Sequence, residues 1–297
     1  MNSERPDQLQ RWLFEHINAR CVHVQLKDVL REALGRQAQP PAVERLLAQA
    51  LLLVSLMSSG IKFNGRISLQ LQSATSGVRL LLADCTDDGG LRCVARLNDD
   101  VSLPDADDAI WTSLVNDGIL TLTLEPANHG ERWQGIVPLE GAGLAEALEN
   151  YFVRSEQLPT RVRVAVTGDQ ASALMIQRMP GPSEDADGWN RLNQLLQTLT
   201  REELAQLSGD ELVTRLFHEE DRRQFPERGL RFHCPCSRER VADVLTGLGS
   251  EEVEAMAAEG EVVNVQCEFC GEDYDFDPIQ LLELIKAPSI TSSRTVH

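Results

Sequence analysis

Apolar residues recur along this chain with two periods, and the changes of period mark out its elements. Near the start, Leu9, Trp12, Leu13 and Ile17 fall on one side of a helix. Pro41 suits the first turn of a second helix, where its missing N–H costs nothing. From there Val43, Leu46, Leu47, Ala50, Leu51, Val54 and Met57 make most faces apolar up to about Ser58. A helix apolar all round belongs inside a domain, and Gly60 offers it a stop. The period then drops to two. In GRISLQLQS, Ile67, Leu69 and Leu71 face one way and Ser68, Gln70 and Gln72 the other. GVRLLLADC and LRCVARL flank TDDGG, a hairpin signal. Residues 119–125 form another alternating strand, 142–152 a helix, and 161–167 and 173–178 two more strands. Such alternation predicts largely antiparallel sheet with one exposed face. GDQA at Gly168 is an ordinary bend. The sequence has no βαβ series and no Gly-rich phosphate loop.

A boundary of proline, glycine and acid follows in MPGPSEDADGWN. Beyond it Leu192, Leu195, Leu196 and Leu199 line one helical face. Thr200 with Glu203, and Ser208 with Glu211, each fit a capping box. The second precedes Leu212, Val213, Leu216 and Phe217. Helices this short are marginal in water without tertiary support. The segment therefore reads either as an arm packed on its neighbours or as a metastable stretch that exposes apolar surface on demand.

A last unit starts near Arg231. Residues 237–248 read as a helix with Val241, Val244, Leu245 and Leu248 apolar. A second begins at Ser250, with Glu251 and Glu252 at its positive end, and stops at Gly260. Val262, Val263 and Val265 form a strand, Tyr274 and Phe276 its return, and Asp277-Pro278 opens a final helix through Ile285. The predicted fold class is α+β. A mixed core domain with largely antiparallel sheet and a buried helix occupies 1–180. A helical linker spans 181–230, a small C-terminal domain with four cysteines 231–287, and a tail 288–297.

With 297 residues, 42% hydrophobic and 25% charged, the chain can bury a substantial core. Its formal net charge is -18. That disfavours nucleic acid, whose backbone demands basic surface, and anionic membranes. The acid concentrates late: residues 231–286 hold 13 acidic and 4 basic side chains, a net of -9. Met1 leads into polar residues, so no signal peptide is expected. The run from Leu46 to Met57 is short for a bilayer and contains Gln49. A cytoplasmic location is the default.

Four of seven cysteines sit at metal-ligand spacing. Cys234-Pro235-Cys236 is a CxC pair. Thirty residues later Cys267-Glu268-Phe269-Cys270 is a CxxC pair followed by Gly271. Two close pairs far apart in sequence are the usual way to build a tetrahedral thiolate site for zinc. Four sulfurs leave no open position for catalytic water. A redox dithiol pair and an iron–sulfur cluster are the alternatives, and adjoining His233 could replace a ligand. A unit of this size with few large apolar groups needs a staple, which the metal supplies. The thiolates themselves leave two roles open: an inert structural knob, or a site that oxidants attack and strip of its ligands.

Other residues suggest no chemistry. Cys21, Cys85 and Cys93 lack metal-like spacing and read as buried thiols, with Cys85 and Cys93 placed to face each other across the hairpin. Ser155 and Glu156 read as a capped turn. His16, His23, His129 and His218 are scattered, with no HExxH and no Ser–His–acid order. Trp111 and Trp133 read as packing residues. No enzyme is expected; a zinc hydrolase would need an open coordination position, and a disulfide oxidoreductase a single attacking thiol.

The cysteine motifs, together with FHCPCSRERV, VQCEFCGEDYDFD, YFVRSEQLPTRV, KFNGRISLQLQ and ALMIQRMP, resemble the redox-regulated 33 kDa heat-shock chaperone family. The resemblance runs through nearly the whole chain and is weakest in the linker. It implies a cytosolic, ATP-independent holdase with one Zn²⁺ per chain in the reduced, largely inactive state, held by Cys234, Cys236, Cys267 and Cys270. It implies that oxidants release zinc and form the disulfides Cys234–Cys236 and Cys267–Cys270. The linker then unfolds, a homodimer forms through the core domain, and unfolding client proteins are bound and later passed to an ATP-dependent foldase system. Leu192, Leu195, Leu196, Leu199, Leu212, Val213, Leu216 and Phe217 are the client-binding candidates. The competing function is a constitutive protein-interaction module with a purely structural zinc site.

Overall fold

The structure, a computed structural model, describes residues 7–286 except 37, 61–63, 99, 102, 104–106 and 128–129. The expected tail at 288–297 and His129 lie outside the described residues. The chain divides into two compact units, Met1–His233 and Cys234–His297.

The first unit opens with a hairpin. Strand β1 (Gln8–Phe14) pairs antiparallel with β2 (Ala19–Leu26) around a turn closed by Asn18 at φ +54°. The helix predicted through Leu9, Trp12, Leu13 and Ile17 is therefore a strand and its turn. Its apolar spacing misleads because the two faces of β1 feed two different cores. Leu9 joins one cluster, and Trp12 and Phe14 join another, with Ile17 packed from the turn.

Helix α1 (Asp28–Leu34) is short, and α2 (Pro41–Ser58) is the buried helix its all-round apolar surface demands. By length and composition α2 could cross a membrane, but 78% of that stretch is buried within the fold. It packs against strands of both sheets.

Strands β3 (Gly65–Gln72), β4 (Val78–Thr86) and β5 (Gly90–Leu97) follow as expected, with the TDDGG turn between β4 and β5. Gly89 adopts φ +86° there, a conformation that suits glycine. Cys85 stands opposite Leu91, and Cys93 opposite Ala83. The two thiols are thus out of direct register, which corrects the expectation that they face each other. Next come α3 (Asp107–Val115), β6 (Ile119–Pro126), β7 (Trp133–Pro138), α4 (Leu144–Arg154), β8 (Thr160–Thr167) and β9 (Gln170–Arg178). Gly168 turns the β8–β9 hairpin. Three short helices, α5 (Gly188–Gln197), α6 (Arg201–Gln206) and α7 (Gly209–Phe217), lead to β10 (Arg223–Gly229) and β11 (Arg231–Phe232).

These strands form two sheets, β10-β1-β2-β9-β8 and β11-β5-β4-β3-β6-β7. Every pairing is antiparallel except β11 with β5. The fold class is α+β. The six-stranded sheet alternates as expected, with Ile67, Leu69 and Leu71 buried and Ser68 and Gln70 only partly so. The five-stranded sheet does not: residues 171–177 of β9 are all buried. One face packs on α2 and its neighbours, and the other is covered by α5, α6 and α7. The expectation of one exposed face fails there because the helices after residue 187 close it.

Trp111 is buried, and its Nε1 donates to the Gly141 carbonyl at 2.7 Å. Trp133, on the edge strand β7, is 45% exposed and packs one side of its ring edge to face on Tyr151, with centroids 6.4 Å apart.

The second unit contains α8 (Arg238–Gly247), α9 (Ser250–Ala258), β12 (Val263–Gln266), β13 (Asp273–Phe276) and α10 (Pro278–Lys286). Among the described residues its buried apolar cluster is Leu245, Val253, Ala257, Phe276 and Leu281. Val244 and Leu248, read as apolar helix positions, are exposed, and so is Val262, which precedes the strand it was read into.

Candidate metal centre and the covered sheet

Cys234 and Cys236 lie on the segment that leads into α8; Cys267 and Cys270 lie on the turn between β12 and β13. All four Sγ atoms fall within 4.8 Å of one another. The Cys234–Cys267 and Cys236–Cys270 sulfur pairs are 3.7 and 3.3 Å apart.

Local chemistry builds each half. The Cys267 N–H donates to the Glu272 carbonyl, and the Gly271 N–H to the Cys267 carbonyl, both at 2.8 Å. Gly271 sits at φ +70°, which explains glycine immediately after CxxC. On the other side, Ser237 caps α8 by accepting the Arg240 N–H, and Arg240 Nη1 donates to the Pro235 carbonyl at 2.7 Å. The Arg238 guanidinium lies over the Phe276 ring, 4.3 Å from its centroid. The Tyr274 hydroxyl, projected from β13, donates to Cys236 Sγ at 3.2 Å. That donor was invisible in the sequence, since it depends on hairpin geometry.

Burial pushes the Cys234 and Cys270 thiols up, reinforced by hydrogen bonds shared among the sulfurs. Burial also opposes ionisation of Cys267. The N–H groups of Cys270 and Phe269 outweigh it and hold that thiol below its ordinary range.

A soft, closed set of four sulfurs with N–H and O–H donors around it fits a metal ion, and no carboxylate or imidazole joins the cluster among the described residues. His233, considered as a replacement ligand, belongs to the first unit, where its N–H donates to the Leu91 carbonyl at 2.9 Å.

A family profile described as Hsp33 protein matches residues 7–277. This chain belongs to the Hsp33 family. The 33 kDa chaperonin of Sodalis glossinidius is 39% identical over 283 residues, covering 94% of each chain. That of Methylobacillus flagellatus is 37% identical over 294 residues, covering 98% of each. The crystal structure of the Thermotoga maritima Hsp33 homologue shares the fold, with a TM-score of 0.80 at 23% identity over 94% of this chain and 98% of that one. The protein is thus an Hsp33-family chaperone with a C-terminal cysteine cluster able to hold a metal ion, and its named relatives are chaperonins rather than enzymes.

In this Hsp33 chain the candidate apolar residues of the helical segment are turned inward. Leu192, Leu196, Leu212, Val213, Leu216 and Phe217 are buried against Trp12, Phe14, Cys21, Leu174 and Ile176. Leu195 and Leu199 are partly buried on the same cluster. Both capping boxes form, at Thr200 with Glu203 and at Ser208 with Glu211. An arginine clamp adds to them: Arg191 donates to both oxygens of Glu220, at 2.5 and 2.9 Å, and to Asp185 at 2.7 Å. The residues of that clamp are too far apart in sequence to suggest a pair.

The remaining candidates lie outside the cysteine cluster. Ser155 ends α4, its N–H donating to the Tyr151 carbonyl, and Glu156 accepts the Tyr151 hydroxyl at 2.7 Å. Cys21, Cys85 and Cys93 are buried, and burial pushes all three thiols up, Cys93 to about 12.

Proposed function

We propose that this protein is an oxidation-activated, ATP-independent holdase, with one zinc ion per chain bound by Cys234, Cys236, Cys267 and Cys270 in the reduced state. The observation that carries this reading is the pairing of two features. Four thiols converge in a unit whose buried apolar core, among the described residues, is five side chains. The segment before that unit covers an apolar sheet face.

Zinc, when bound, supplies folding free energy to a unit too small to fold on its own core. Of the metals that four sulfurs favour, zinc suits the closed tetrahedral set and the CxxCG turn. Cys267 is the sulfur best prepared to ionise, and the Tyr274 hydroxyl offsets charge at Cys236.

Oxidation acts on the same sulfurs. Each disulfide forms from two thiols, whose two electrons and two protons go to one peroxide, which leaves as two waters. Two peroxides convert all four thiols to two disulfides, and the ligand set is lost. We take the pairs to be Cys234–Cys236 and Cys267–Cys270. Cys234 meets Cys267 and Cys236 meets Cys270 across the motifs, so pairing within each motif separates the two halves and leaves the loop between them untied.

The helical segment directly precedes Cys234. In this reading residues 181–230 are the metastable linker and 231–287 the redox unit. When the linker leaves the five-stranded sheet, it bares Trp12, Phe14, Leu174 and Ile176 along with its own leucines. Those surfaces bind unfolding clients, the activated form is a homodimer, and clients pass to an ATP-dependent foldase when reducing conditions return. The cytoplasm, where thiols stay reduced until stress, is the fitting location.

The test measures zinc content and suppression of aggregation of a heat-unfolding protein in parallel, before and after peroxide with mild heat. Release of one zinc per chain with gain of suppression is expected. Zinc release without suppression overturns the chaperone mechanism. Client binding indifferent to oxidation would instead identify a constitutive interaction module with a structural zinc.

A further inference from the structure

One cleft in the first unit is lined by no cysteine and by no residue of the helices α5, α6 and α7. It has a volume of about 320 Å³, at the lower end of the range for ligand pockets. Its apolar walls are Met57, Ile67, Leu124, Trp133, Phe152 and Leu158, and Arg20, Gln177 and Glu156 supply its polar groups. Trp133 is half-exposed at this opening, and Ile136 and Val153, on the neighbouring β7 and α4, are also exposed.

Arg20 is held in place from behind. Its Nε donates to Gln177 Oε1 at 3.0 Å, and Gln177 Nε2 donates to Thr160 Oγ1 at 2.7 Å. Both supporting residues are buried. The two outer nitrogens of Arg20 occupy the space that a Cβ at Gly60 would fill. Any other residue at Gly60 would therefore displace them. Among the described residues no carboxylate pairs with Arg20. Burial, and then the like charge of Arg11, draws its pKa down to about 10. The C-terminal end of α2 offsets part of this charge through its dipole. That accounts for a buried cation there, but not for one that lines an apolar cleft.

We infer that this cleft takes the C-terminal residue of an unfolded client. The apolar side chain lies among Trp133, Phe152 and Leu158, the terminal carboxylate meets the two outer nitrogens of Arg20, and a backbone N–H is drawn to Glu156. The guanidinium fork matches a carboxylate in two parallel hydrogen bonds. Glu156 discriminates between carriers of that carboxylate. A peptide brings N–H donors for it, whereas a fatty acid carries the same carboxylate and brings none. The inference rests on the reading of the protein as a client-binding chaperone. The cleft, however, is lined by no residue of α5, α6 or α7, so release of those helices is not what opens it.

The test uses the full-length reduced protein and fluorescence anisotropy with a labelled hexapeptide ending in Leu-Phe. The free acid is expected to bind about tenfold tighter than its C-terminal amide, as befits one charge-assisted fork. Arg20→Gln should abolish that preference. Gly60→Ala should also abolish it while retaining every charge, by pushing the guanidinium aside, and it stands in if Arg20→Gln fails to fold. Trp133→Ala should weaken acid and amide alike. Equal affinity for acid and amide overturns the inference, as does octanoate or free leucine competing as well as the peptide acid. If the peptide preference holds while the oxidised protein fails to suppress aggregation, the cleft stands and the holdase reading falls.

Discussion

The ring of Phe217 meets the ring of Phe14 edge to face, with centroids 5.3 Å apart and planes at 74°. Phe217 ends α7 and Phe14 ends β1, and both are fully buried. This contact joins the helical segment to the sheet it covers. Truncating a buried phenylalanine to alanine costs about 3–5 kcal/mol. Here the loss falls on the docking of helices that have little stability of their own. Phe217→Ala should therefore loosen α5, α6 and α7 while leaving the α2-centred core folded. In the reduced, zinc-loaded state the variant is expected to bind a hydrophobic dye and to suppress aggregation without oxidation. A reduced variant as silent as the parent would show that covering this face does not govern activity.

Chelation should separate the two units. The second relies on Leu245, Val253, Ala257, Phe276 and Leu281 for its core, whereas the first buries α2 against two sheets. With excess chelator under reducing conditions, amide exchange in residues 238–286 should rise to that of an unfolded chain. Exchange in β2, β3, β4 and β9 should stay protected. Protection that persists in α8 and α9 after complete metal removal would contradict a metal-dependent fold.

The cysteine site was legible from the chain because its ligands come as two local pairs, and each pair brings its own turn chemistry: Ser237 after CxC, Gly271 after CxxC. The capping boxes at Thr200 and Ser208 were legible for the same reason, since a cap is made within four residues. What was hidden depends on partners distant in sequence. β1 looked helical because Leu9 and Trp12 serve opposite faces of a sheet that is buried on both sides. The Tyr274 hydroxyl reaches Cys236 only through the register of β12 and β13. Arg20 gains its cleft from side chains gathered from β3, β6, β7, α2 and α4. No local period encodes such a gathering.

Thiol reactivity should divide the cysteines four and three. Burial pushes the Cys21, Cys85 and Cys93 thiols up, and all three side chains are buried. Thiolate is the reactive form. With chelator present, an alkylating reagent should modify Cys234, Cys236, Cys267 and Cys270 quickly. The other three should react only after global denaturation. Peptide mapping by mass spectrometry checks both sets, and early labelling of Cys85 or Cys93 would contradict the burial argument.

Asp88 sets an acid limit on the strand that leads to the first cysteine pair. Its carboxylate accepts from Thr86 Oγ1 and pairs with the Arg231 guanidinium, fastening β11 to the turn between β4 and β5. The Thr86 hydroxyl and then Arg231 hold its pKa at about 2, below the ordinary 3.8. A depressed carboxyl binds fewer protons folded than unfolded, so its contribution is complete above pH 3.8 and is lost as the pH falls through about 2. The group is largely exposed, and solvent screening keeps the effect below about 1 kcal/mol. Asp88→Asn should therefore lower the Tm of the first unit slightly at pH 7. The gap to the parent should close as the pH falls from 3.8 towards 2. A gap that stays constant across that range would show that the carboxylate's charge contributes nothing and that only its shape is used.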